Sequence, residues 1–95
     1  DNVVGIYVNE ELPVVNLKIR VYGVQTEYMR MLPLHKSQRE GASKYGEFAE
    51  FSYRVCLTPE LKSKILALGS NVEVLEPLEY REEIKNEISA TLNRY

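Results

Sequence analysis

The chain has 95 residues, 44% of them hydrophobic and 27% charged, with a formal net charge of −2. That length suits one domain, and the slight acidity argues against a dedicated nucleic-acid binder, which carries a basic patch. Cys56 is the only cysteine, which excludes an internal disulfide and fits a reducing, cytoplasmic setting; no apolar run is long enough to span a membrane.

Residues 1–13 read as a lead-in. Val3, Val4, Ile6, Tyr7 and Val8 are apolar, and "NEELP" then breaks the pattern. The chain opens without an initiator methionine or a signal peptide, so the expectation is a piece cut from a longer protein, with 1–13 as a linker and 14–95 as the domain. "VVNLKIRVYG" alternates, Val15, Leu17, Ile19 and Val21 against Asn16, Lys18 and Arg20. This predicts a strand with one buried face, ended by Gly23. "VQTEYMRML" places Val24, Tyr28 and Met31 at helical spacing, and Pro33 stops the helix.

"LHKSQRE" is polar enough for an edge strand, and "GASKYG" reads as a loop between two glycines. In "EFAEFSYRVCL", Ala49, Phe51, Tyr53, Val55 and Leu57 share one face, and the aromatic and β-branched content supports a strand. Thr58 is placed to N-cap a helix with Pro59 at its first position. Leu61, Ile65 and Leu68 form its apolar stripe, and Gly69 suits a left-handed C-cap. "NVEVL" is a short strand with Val72 and Val74 inward. Pro77 opens a last helix with Ile84, Ile88, Leu92 and Tyr95 on one face.

The order β-α-β-β-α-β plus a C-terminal helix predicts an α+β fold, a ferredoxin-like two-layer sandwich with the helices on one side of an antiparallel sheet. Right-handed crossovers place the first and third strands side by side at the centre.

Chemistry is sparse. His35 is the only histidine and Cys56 the only thiol, too few for a usual metal set and without an activating constellation for nucleophilic catalysis. The plain expectation for His35 is packing or hydrogen bonding at the sheet edge. No catalytic residue, metal or cofactor is expected. Lys18, Arg20 and Arg54 share the polar side of two neighbouring strands, with Ser52 among them and Glu73 nearby. Such a face is either solvated and partly neutralised by Glu50 and Glu73, or a receptor for a phosphate or nucleic-acid backbone. After Gly46 the order Glu47, Phe48, Ala49 fails the aromatic–small–aromatic pattern of the RNA-recognition motif. "YGVQTE" at the first strand–helix turn lacks the arginine and glycines that acylphosphatase chemistry calls for.

"PLHKSQRE" at 33–40, "EFSYRV" around Phe51, "ILALGSNVEVLEPLEYREEIKNEI" at 65–88 and the terminal "LNRY" together resemble the C-terminal extension, or WCX domain, of WYL-domain transcription regulators. "DNVVGIYV" resembles the linker leaving the WYL barrel. The resemblance implies a bacterial regulator whose winged helix-turn-helix contacts DNA. It implies a WYL barrel that senses a small-molecule or nucleic-acid effector, and an extension that assists sensing or joins a homodimer. It also raises a contact role for Ser37 and Gln38, toward the barrel or a second subunit, beside their plain reading as hydrogen-bond partners of loop backbone. The resulting expectation is a non-enzymatic regulatory module. The alternative is a free-standing small-molecule or nucleotide-binding ferredoxin-like domain using the Lys18/Arg20/Arg54 face.

Overall fold

A computed structural model describes residues 12–95; the apolar lead-in up to residue 11 lies outside the described residues. Four strands, β1 (Val14–Tyr22), β2 (Arg39–Lys44), β3 (Phe48–Cys56) and β4 (Val72–Glu76), form one antiparallel sheet in the order β2-β3-β1-β4. The helices are α1 (Gln25–Met31), α2 (Pro59–Ala67) and α3 (Leu78–Arg94). The first and third strands are thus central neighbours, as expected from the sequence.

The core follows from the period-two pattern of those two strands. Leu17 faces Tyr53, Ile19 faces Phe51 and Val21 faces Ala49 across the ladder, and all six are buried. Directly opposed residues share a face, so these pairs make one apolar layer. Val74 extends it onto β4, and Met29, Leu61, Ile65, Tyr80 and Ile84 close it from the three helices. Thr58 caps α2 by accepting the Leu61 N–H at 3.2 Å, and Gly69, at φ +62°, turns the chain from α2 toward β4.

Three expectations need correction. Val24, Tyr28 and Met31 are exposed, and α1 buries Thr26 and Met29 instead. The Thr26 hydroxyl donates to the Val21 carbonyl at 3.2 Å, which fixes the rotation of a helix too short for its apolar spacing to decide. The edge strand runs Arg39–Lys44, so it keeps only the last two residues of "LHKSQRE", "GASK" is strand and residues 33–38 are a turn. A register shift between Glu40 and Ser43 sets two residues of β2 against Glu50, the mark of a bulge. Finally, only the first two turns of α3 reach the core. Ile88 is 53% and Leu92 69% exposed, and Tyr95 is fully exposed.

Candidate functional site

The helices cover one side of the sheet, and the opposed face carries the polar residues of the strands. Its register is built in rows. Arg39 of β2, Ser52 of β3 and Lys18 of β1 lie opposite one another, with Glu76 of β4 next to Lys18. Glu50, Arg20 and Glu73 form the adjacent row, and Arg54 pairs with Asn16 on the far side of Ser52. Strands are spaced about 4.8 Å apart, so Arg39 and Lys18 flank Ser52 within side-chain reach.

These cations have different partners. Arg20 donates to the Glu50 carboxylate at 3.1 Å through Nε and 2.6 Å through Nη2 and stacks 4.5 Å above the Phe48 ring. The Glu50 hydrogen bond raises its pKa above the ordinary arginine value. Arg54 donates from Nη1 to the neutral Asn16 side chain at 3.1 Å. Lys18 and Arg39 form no ion pair among the described residues. Lys18, Arg39 and Arg54, around Ser52, thus lack an ion pair among the described residues, while Arg20 is neutralised by Glu50. Arg39 is not among the residues the sequence points to, because nothing local sets the register of β2 against β3. With β2 starting at Arg39, its alternation places this side chain opposite Ser52.

Glu73 belongs to a second cluster. Tyr22 donates its phenol proton to Glu73 at 2.6 Å, and Arg81 of α3 donates to the same carboxylate at 2.7 Å and to the Val74 carbonyl at 2.8 Å. The Tyr22 and Arg81 hydrogen bonds, in that order, hold the Glu73 carboxyl below its usual range.

His35, Ser37 and Gln38 are brought together in the turn before β2. The Ser37 N–H donates to His35 Nδ1 at 3.0 Å, and the Ser37 hydroxyl lies 2.8 Å from the same nitrogen. Nδ1 is thereby an acceptor. Ser37 Oγ in turn accepts the Arg54 N–H at 3.1 Å, doing for β3 what a longer β2 would do. Gln38 Oε1 accepts from Leu34 N at 3.1 Å and from the Tyr53 hydroxyl at 2.6 Å, and its Nε2 donates to the Met29 carbonyl at 3.0 Å. One amide thus ties α1, the turn and β3 together, a role visible only in three dimensions.

Cys56 directs its thiol to the Leu12 carbonyl at 3.5 Å, and no hydrogen bond joins it to His35 among the described residues. Both side chains line a 340 Å³ cavity beside the start of α2. Among the described residues no group of three or more His, Cys, Asp or Glu is arranged to hold a metal ion, and no helix is long and apolar enough to cross a membrane.

No curated protein matches the chain. The sequence profile of the WCX domain matches it over residues 13–92, which takes in every strand and helix up to the last turn of α3. By that match, spanning most of its length, the chain belongs to the WCX domain family.

Proposed function

We propose that this chain is the regulatory extension of a bacterial, cytoplasmic WYL-type transcription regulator, built on a ferredoxin-like frame and carrying no catalytic activity. The observation that carries this reading is the family match over residues 13–92. DNA is contacted by a helix-turn-helix domain upstream, and residues 1–13 serve as the linker from a WYL barrel. The extension contributes to effector sensing and to pairing of two subunits.

Within that reading, the open sheet face is the surface that meets an anionic effector held by the barrel. Lys18, Arg39 and Arg54 surround the Ser52 hydroxyl without a carboxylate partner among the described residues. Three clustered cations release few counterions, and the acidic remainder of the chain repels phosphates. The isolated chain therefore binds nucleic acid and nucleotides weakly, with a shallow salt dependence.

The coding sequence upstream of Asp1 tests the assignment. An in-frame helix-turn-helix and WYL barrel are expected, and a start codon directly before this domain overturns the reading. The sheet face is tested in the longer regulator with Lys18→Glu, Arg54→Glu. This variant is expected to fold and to lose effector response, and an unchanged response removes the face from the mechanism. Micromolar binding of a nucleotide or oligonucleotide by the isolated chain at physiological salt, lost in the same variant, would instead identify a free-standing binding domain.

A further inference from the structure

On the helix side of the sheet, α2 and α3 leave a cavity of 500 Å³ between them and β4. Its walls are apolar: Ile65 and Leu66 from α2, Val72 and Val74 from β4, Ile84 and Ile88 from α3. Ile84 and Ile65 are buried beneath it, whereas Ile88 stands half-exposed at its mouth. The volume falls in the range of pockets that take a small organic molecule, about 300–1,000 Å³.

One charged side chain lines this cavity, Glu87. Its carboxylate lies 3.9 Å from Lys62 Nζ, but the same ammonium is 2.7 Å from Glu83, which takes the larger share of that positive charge. The nearby Thr91 hydroxyl is already committed to the Glu87 backbone carbonyl at 3.0 Å. The cavity thus combines hydrocarbon walls with one carboxylate whose compensation is incomplete, at the rim where water still reaches it. A cation placed there keeps part of its hydration, so it pairs without the cost of burying an ion.

We propose that the α2–α3 cleft binds a small apolar amine, with its hydrocarbon or aromatic body against Ile65, Ile84 and Ile88 and its ammonium on Glu87. An ammonium offers three donors to a carboxylate. A carboxylic acid with the same body meets like charge at Glu87, and a neutral analogue forgoes the pair. The cleft lies on the opposite side of the sheet from Ser52, so it stands or falls independently of the sheet-face reading.

The test is an NMR titration of the methyl-labelled chain with phenethylamine and, separately, with phenylacetate, which shares the phenyl body and reverses the charge. Saturable shifts are expected at the Ile65, Ile84 and Ile88 methyls. Phenethylamine should bind tighter than phenylacetate by about three- to fivefold, the scale of a half-exposed ion pair, and raised salt should narrow that difference. Glu87→Gln, a substitution at an exposed position, should abolish the preference and retain saturable binding of both probes. Absence of saturable shifts at these methyls overturns the proposal. So does equal affinity for the two probes, or a preference that survives Glu87→Gln. Shifts that track protein concentration without probe would show a second copy of the chain in the cleft, and would overturn it as well.

Discussion

Tyr53 donates its phenol hydrogen to Gln38 Oε1 across 2.6 Å, joining the buried centre of β3 to the turn that precedes β2. Tyr53 is 2% exposed, and burial raises its pKa above the usual phenol value, so the hydroxyl stays protonated and remains a donor. Because the Gln38 amide also holds Leu34 and Met29, it fixes the path of the chain between α1 and the sheet.

Gln38→Ala should therefore destabilise the fold by about 2–3 kcal/mol, since it removes three hydrogen bonds and strands a buried phenol. Tyr53→Phe alone should cost about 1 kcal/mol. In urea melts the double variant should lose less than the sum of the two, because the stranded hydroxyl is gone. Strict additivity would show that the two side chains do not act together.

Tyr80 presents the opposite case. It is a buried residue of the first turn of α3, and its hydroxyl has no hydrogen-bond partner among the described residues. Burial, with the Glu83 charge adding to it, pushes its pKa up to about 12. A buried donor without a partner costs about 1–3 kcal/mol, so Tyr80→Phe should leave stability unchanged or raise it by about 1 kcal/mol. A fall in the melting temperature would mean that this hydroxyl is bonded in solution.

The acid limb of stability should carry a signature of Glu73 and Glu40. Both carboxyls are held below their ordinary value of 4.5, Glu73 chiefly by Tyr22 and then Arg81, and Glu40 by Arg30. A depressed carboxyl favours the folded state above its unfolded pKa. That contribution is lost as pH falls through the lower folded value. Glu73→Gln should thus be less stable than the parent at pH 7, by no more than about 1 kcal/mol for so exposed a cluster. The gap should close as pH drops below 4.5. Denaturant titrations at a series of pH values measure it, and a gap independent of pH would refute the assignment.

Local chemistry made the central architecture readable. Alternation in "NLKIRVY" and "FAEFSYRV" identifies the buried faces of β1 and β3 because each side chain's face is set by strand geometry alone. The same locality holds for Thr58 and Gly69, whose cap roles depend on neighbours three or four residues away. The polar face carrying Lys18, Ser52 and Arg54 was legible for the same reason.

What the tertiary structure decided are contacts between residues far apart in the chain. The sequence allows Glu50 or Glu73 to neutralise part of the basic face, and the fold assigns Glu50, thirty positions away, to Arg20. Arg39 joins the site only because β2 begins there and aligns it with Ser52. Met29 rather than Met31 is buried because the Thr26–Val21 bond sets the rotation of α1. In α3, Ile84 and Ile88 have the same place in the periodic pattern and both line the cleft, yet Ile84 is buried and Ile88 half-exposed. Periodicity fixes which side of a helix is apolar, but how far the sheet extends beneath it fixes which of those residues are covered.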